Sequence, residues 1–440
     1  MSSPPLLKQQ LGIPGAVFMG LGSIIGTGVF VSIGIAAGIA GSAVVLAVAI
    51  AAIVAICNGL SAAQLAANHP VSGGTYEYGY RYLTPWMGFT AGWLFLLAKT
   101  ASAATAALGF AGYLLAAIGI TSSSWLVAIA LLTVLLLTLL ALSGLQRSNT
   151  VNIVIVSITL LSLGAFILAG LPVLATQGTT HLTPFFPVDR PIAAILHASA
   201  LMFVAYTGYG RITTMGEEVH HPRRTIPRAI VITLGLTMLL YLAVAIVGVG
   251  TVGTGQLSQL THLAAPLEVA ARQFPTPGVA IGVAIGAMTA MLGVLLNLIL
   301  GLSRVLLAMG RRGDMPETVA RLNRARTAPV VAVLVVGGAI ALLVCTGNVK
   351  TTWSFSAFTV LVYYALTNLA ALRLAPAERL YPRWIAWVGF GSCLLLSFWV
   401  EPEIWLVGVG LILSGLVWKI AIGRLGRQQK TERQPRERSQ

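Results

Sequence analysis

Long apolar runs separated by short polar ones set the pattern of this chain. The runs cover about 14–40, 42–66, 86–117, 124–143, 150–174, 227–251, 278–308, 329–346, 353–374, 384–400 and 402–423, with a further run from about 191 to beyond 210. Crossing a bilayer of roughly 30 Å hydrocarbon takes about 20 residues, with a range of about 17–25. Lipid offers no hydrogen bonds to a backbone, so such runs must be helices. The pattern predicts an all-α integral membrane protein of about 12 transmembrane helices. Between 256 and 273, Leu263, Leu267 and Ala271 recur at helical spacing and predict a short helix lying on the membrane surface.

Two of these spans are interrupted. The first reads Gly20-Leu21-Gly22-Ser23-Ile24-Ile25-Gly26-Thr27-Gly28-Val29-Phe30, and the second Phe203-Val204-Ala205-Tyr206-Thr207-Gly208-Tyr209-Gly210-Arg211. Glycine weakens a helix interior and frees backbone groups. In a membrane that is tolerated only where the break lines a cavity or meets another partner. Broken segments in matching places of two halves point to a carrier's binding site at the midplane. The competing explanation is that these glycines only allow close helix packing.

Composition narrows the class. Hydrophobic residues make up 57% and charged residues 9%, against about a quarter charged in soluble domains. The net charge of +15 sits in alternate loops and in the tail from Arg424 to Arg438. That is the positive-inside distribution, placing both termini in the cytoplasm of a cell (plasma or inner) membrane protein. It argues against a nucleic-acid partner. The tail is read as solvated, with contact to anionic lipid as the alternative. The first run is too long for a cleavable signal peptide. Cys57, Cys345 and Cys393 lie inside apolar runs, and no His/Cys spacing suggests a metal or other cofactor. There is no P-loop, catalytic carboxylate pair, HExxH or selectivity-filter segment, which disfavours ATP-driven transport, an enzyme and a channel.

Several motifs resemble the amino acid–polyamine–organocation superfamily of permeases over roughly 10–375. Gly22 to Phe30 is similar to that family's first-span signature. Pro70 to Gly74 with Tyr76, then Gly88 to Trp93, resembles its second loop and third span. Glu217-Glu218-Val219 with Pro222 and Thr225 to Ile230 resembles the end of its sixth span, and Ser303 to Met309 with Arg311 and Pro316 its eighth. The resemblance implies the leucine-transporter-like fold. Residues 14–174 (spans 1–5) and 191–374 (spans 6–10) would form a 5+5 inverted repeat, followed by two C-terminal helices at 384–423. Residues 1–13 and the basic tail 424–440 would be cytoplasmic.

An amino acid carries a carboxylate and an ammonium, and a broken helix offers opposite poles for both. The N–H groups of Gly26, Thr27 and Gly28 suit the carboxylate at a helix N-terminus. The carbonyls of Gly22, Ser23 and Ile24, and those around Phe203, Ala205, Tyr206 and Gly208, suit the ammonium. Tyr206 and Tyr209 are gate candidates, the alternative being plain packing. Glu217 and Glu218 are expected to hold the cytoplasmic gate through Arg211 or loop arginines.

Lys99 is the charged residue out of place. About 13 residues into its span, or roughly 20 Å at 1.5 Å per residue, it lies near mid-membrane. Such a residue is a functional candidate by default, here for carrying a proton or a fixed charge in place of a bound cation. Some proton-coupled relatives carry a lysine in span 5, where this chain has Thr159, so Thr159 is a candidate ligand for sodium. Asn297 is an amide deep in span 8, a candidate for helix–helix bonding, for the substrate site or, with Lys99 and Thr159, for coupling. None of the twelve acidic residues falls mid-span. A cationic substrate would lack a buried partner, so neutral amino acids are the expected substrates of a secondary transporter, the alternatives being a cationic amino acid or polyamine antiporter and an amino acid exporter. Coupling to a proton, coupling to sodium and uncoupled exchange all stay open.

Overall fold

Two of the helices start where an apolar run follows a capping side chain. The Thr84 hydroxyl accepts the Met87 N–H at 3.2 Å and opens α5 (Pro85–Ala117). Asn348 accepts the Thr351 N–H at 3.0 Å and opens α14 (Val349–Leu372). At the other kind of end, Gly313 turns left-handed (φ 80°) to close α12 (Val279–Arg312), and the Asp314 N–H reaches back to the Met309 carbonyl at 2.9 Å.

The computed structural model describes residues 12–70, 73–120, 123–143, 149–186, 189–213, 219–259, 265–323 and 328–437, and these are helical apart from their connections. Besides the three helices above, the chain order holds α1 (Ile13–Ile24), α2 (Ile33–Ala40), α3 (Val44–Asn68), α4 (Thr75–Tyr82), α6 (Leu126–Leu142) and α7 (Asn149–Leu182). The later ones are α8 (Pro191–Tyr206), α9 (Gly210–Thr213), α10 (Pro222–Gln259), α11 (Pro266–Ala271), α13 (Val330–Val344), α15 (Arg383–Ser397) and α16 (Pro402–Glu437). Eight helical stretches among the described residues are long and apolar enough to cross a membrane, and α1, α6, α13 and α15 are shorter apolar helices.

The centre of the bundle is built from small residues. Along α5, Ala98, Ala101, Ala104 and Ala107 are wholly buried, letting α12 and α14 close on it from two sides. Outside, Leu132, Leu136 and Leu139 of α6 and Leu161 and Leu168 of α7 are exposed, as a lipid-facing surface requires. One expectation needs correction. Leu267 and Ala271 do not lie on a membrane surface: α11 packs into the bundle against α10 and α12, and both residues are buried there. Leu263 lies outside the described residues, as do Glu217 and Glu218.

Ionic clusters tie helices together at the two ends. At one end Asp314, 1% exposed, accepts from the hydroxyls of Tyr76 and Tyr80 on α4, each at 2.7 Å, and pairs with Lys419 on α16. Arg312 pairs with Glu77 beside it and lies over the Tyr80 ring, 4.2 Å from its centroid. At the opposite end Glu401, in the α15–α16 turn, meets Lys350 at 2.9 Å and the His197 ring at 3.4 Å, joining α8, α14 and α16. Burial alone would raise the Glu401 carboxyl, but His197 and Lys350 outweigh it and hold the group well below the usual carboxylate range. A depressed carboxylate stabilises the fold above its unfolded pKa, and that contribution disappears as pH falls toward the folded one. The thermal midpoint of the purified protein is therefore expected to fall on acidification below about pH 4.5, the ordinary range for Glu. Glu401→Gln should flatten that decline. An identical acid profile in the variant would mean that the cluster contributes nothing.

Candidate functional site

The first break begins where α1 stops at Ile24. Ile25 is extended (φ −79°, ψ 107°), with its N–H bonded to the Leu21 carbonyl at 2.8 Å. Gly26 restarts the helix, its carbonyl accepting from Val29 and Phe30 at 3.1 and 3.2 Å, and a π turn at Gly28–Ser32 leads into α2. The N–H groups of Gly26, Thr27 and Gly28 stand ahead of that ladder, as the orphan donors of a helix start. The second break is a 3-10 turn, Thr207–Tyr209, between α8 and α9.

The two breaks touch each other, which is what two of their glycines are for. A methyl group on Gly28 would stand 2.6 Å from the Ala205 side chain, and one on Gly208 would fall on the Ser23 carbonyl. Between the contacts lies a cavity of about 40 Å³, room for only a few waters. Span 1 contributes Ser23, Ile24, Thr27 and Gly28, and the second break contributes Val204, Ala205, Thr207 and Gly208. The far wall comes from Lys99 and Ser102 of α5, Val294 and Leu298 of α12, and Trp353 of α14.

Proton accounting shows what the cavity presents. Thr207 donates its hydroxyl proton to the Val204 carbonyl (2.8 Å) and accepts a hydrogen bond from the Lys99 ammonium (2.9 Å). Ser356 donates to the Ala98 carbonyl at 3.0 Å, so Ser102, 2.7 Å away, is the donor of their shared bond. Ser23 donates to Met19 at 3.0 Å. The Thr27 hydroxyl is buried with no partner among the described residues. Thr27 and Lys99 therefore bring unspent donors to the cavity lining, and no acidic side chain lines it among the described residues. An anion satisfies such a set, since a buried polar group without a partner is costly.

The carbonyls freed by the breaks have ring donors. The Tyr241 hydroxyl sits 3.0 Å from the Ile24 carbonyl and 3.3 Å from that of Ala205, bridging the breaks from α10. Tyr364 donates to Thr207 at 3.0 Å. Away from the freed ends, the Trp353 indole donates to Leu201 within α8 at 3.0 Å and Tyr113 to Phe30 in the π turn at 2.7 Å.

Of the residues singled out from sequence, Ser23, Ile24, Thr27, Gly28, Ala205, Gly208 and Lys99 line the cavity. The others do not. Gly22 faces Asn152 of α7, and Gly26 faces Val294 of α12. Phe203 packs edge-on against Tyr364 (5.7 Å), Tyr209 against the same ring (5.3 Å), and Tyr206 against Tyr241 (5.1 Å). Tyr206 and Tyr209 are fully buried in this aromatic layer. Thr159 is buried in α7 and donates to the Ile155 carbonyl, while Asn297 is half-buried on α12. Sequence reasoning misses Ser102, Val204, Thr207, Val294, Leu298 and Trp353. A serine, an apolar residue or a tryptophan in an apolar run carries no mark that separates lining from packing.

Known proteins share this architecture and sequence. The family model described as amino acid permease matches residues 15–423. The uncharacterized transporter Rv1999c of Mycobacterium tuberculosis is 40% identical over 402 residues, spanning 90% of this chain and 87% of its own. The branched-chain amino acid permease BcaP of Bacillus subtilis is 29% identical, over 77% of this chain and 74% of its own. A crystal structure of a mutant of the Eremococcus coleocola manganese transporter superposes with a TM-score of 0.58 over 94% of both chains. At 14% identity it speaks for the fold alone.

Proposed function

Since this chain belongs to the amino acid permease family and is a multi-pass membrane transporter, we propose that it carries neutral amino acids as a secondary transporter by alternating access. The observation that carries the reading is the cavity between the two touching breaks. It has unspent donors for a carboxylate and, among the described residues, no acidic group for a side-chain cation. The substrate carboxylate is assigned to the Thr27 hydroxyl and the N–H groups of Thr27 and Gly28, which line the cavity, with the helix start at Gly26 and its dipole behind them. Its ammonium is assigned to the carbonyls that end α1 and α8.

Twelve spans follow if α1 with α2, and α8 with α9, each count as one broken span and α3, α5, α6, α7, α10 and α12 to α16 count singly, α4 and α11 lying outside the membrane. Helices 1 to 5 and 6 to 10 then form the inverted repeats, with both termini cytoplasmic in the cell membrane. Of the three coupling candidates, Lys99 is the one that lines the cavity, and we assign coupling to it. The transport cycle is then proton symport or exchange, and import or export follows the gradients. A cationic amino acid or polyamine antiporter is the second reading, disfavoured by the missing carboxylate.

Counterflow in proteoliposomes tests the proposal. With unlabelled neutral amino acid inside and no ion gradient, labelled neutral amino acid is expected to accumulate, while arginine and a polyamine are not. Preferential counterflow of arginine would overturn the substrate assignment.

A further inference from the structure

We propose that Lys99 sets the charge selectivity of the substrate site, rejecting cationic side chains by placing a like charge where they would go. The inference rests on the carrier reading above and names the residue that gives it specificity.

Three observations converge. Lys99 lines the cavity between the two breaks, and its ammonium is within hydrogen-bond distance of Thr207 in the second break. Thr207 is a neutral hydroxyl, so the pair brings a positive charge to the cavity wall, and among the described residues no carboxylate lines the cavity. Thr27, across the cavity on the first break, has an unpartnered buried hydroxyl. A substrate bound at Thr27 by its backbone carboxylate has to place the rest of itself against the remaining lining. A side chain directed toward α5, α12 and α14 therefore meets Lys99, Val294, Leu298 and Trp353, a wall that is apolar except for its ammonium and the Ser102 hydroxyl. Apolar side chains are compatible with that wall. A second ammonium is not, because two like charges within a few ångströms repel strongly at the low effective dielectric of a protein interior.

The neighbouring residues leave Lys99 as the source of this effect. Ser102 has committed its proton to Ser356 and Thr207 its own to Val204, so both hydroxyls present only acceptor lone pairs. Those lone pairs alone would tolerate an amine. Lys99 overrides them and occupies one of them. In this respect the lysine is a resident competitor for the position a cationic side chain would take.

The test compares isosteric pairs, so that size is held constant. Ornithine replaces the terminal methyl of norleucine by an ammonium, and 2,4-diaminobutyrate does the same to norvaline. Inhibition of neutral amino acid counterflow by each member is measured for the reconstituted wild type, Lys99→Met and Lys99→Glu. The wild type is expected to prefer the neutral member by at least about 100-fold, the order of magnitude of one close like-charge contact. Lys99→Met should narrow the ratio at least tenfold, and Lys99→Glu should narrow it further or reverse it. Where a variant no longer transports, the same ratio is read from the shift each ligand gives to the thermal midpoint of the detergent-purified protein. Ratios that stay at the wild-type value in both variants overturn the inference while leaving the carrier reading intact. A wild type that neither transports nor binds any neutral amino acid overturns the carrier reading itself.

Discussion

Gly208→Ala is expected to abolish transport while the protein still inserts and folds. A methyl group there would fall on the Ser23 carbonyl and within 2.6 Å of the Ile24 nitrogen. Both are backbone atoms, so no side chain can swing away, and the second break must be pushed off the first. Overpacking costs roughly 1–3 kcal/mol even where side chains can yield. At about 1.4 kcal/mol per decade, that is up to a hundredfold in substrate affinity before any effect on the motion between states. Gly235→Ala, where an added methyl meets nothing within 4 Å, is the matched control and should transport normally. Labelled amino acid uptake, with size-exclusion profiles to verify folding, decides the matter. Normal uptake by Gly208→Ala would mean that close approach of the two breaks is not needed at any stage of the cycle.

Asp314→Asn is expected to cause the largest loss of stability. Its carboxylate accepts from Tyr76, Tyr80 and Lys419 at once, joining α4, α12 and α16, and is itself almost wholly buried. Burial, with Asp314 beside them, pushes the Tyr76 and Tyr80 phenols well above their usual range, so both remain donors throughout the physiological range. An amide keeps one acceptor oxygen and turns a donor toward three groups that are themselves donors. Removing one partner of a buried pair typically costs about 3–5 kcal/mol, because the other charge is left stranded. The thermal midpoint in detergent should drop by several degrees. Adding Lys419→Met to Asp314→Asn should recover part of the loss, since the stranded ammonium goes with it. Equal midpoints for wild type and Asp314→Asn would show that α16 is held by its apolar contacts alone.

The two breaks are legible in the sequence because glycine inside an apolar run contradicts both helix propensity and the demands of lipid. Lys99 is legible for the same kind of reason: a charge mid-span has no inexpensive explanation. The far wall is not. Ser102, Val294, Leu298 and Trp353 are residue types found throughout packed membrane helices, and only the approach of α5, α12 and α14 to the breaks distinguishes them. Tyr206 and Tyr209 illustrate the opposite error of proximity. Both adjoin the second break in sequence, yet the turn of the helix carries them into a layer with Tyr241 and Tyr364, away from the cavity. Tyr241 itself, which bridges both breaks, lies in an unbroken stretch of α10 with nothing around it to mark it. The Leu267 face of α11 misleads because amphipathic spacing reports that a face is covered without saying whether lipid or protein covers it.

Tyr241 and Tyr364 place hydroxyl donors at the Ile24, Ala205 and Thr207 carbonyls, which the ends of the interrupted helices leave without a helical partner. In lipid such groups have to be satisfied from within the protein. Two phenols therefore stand in for the solvent that an interrupted helix would call on outside a membrane.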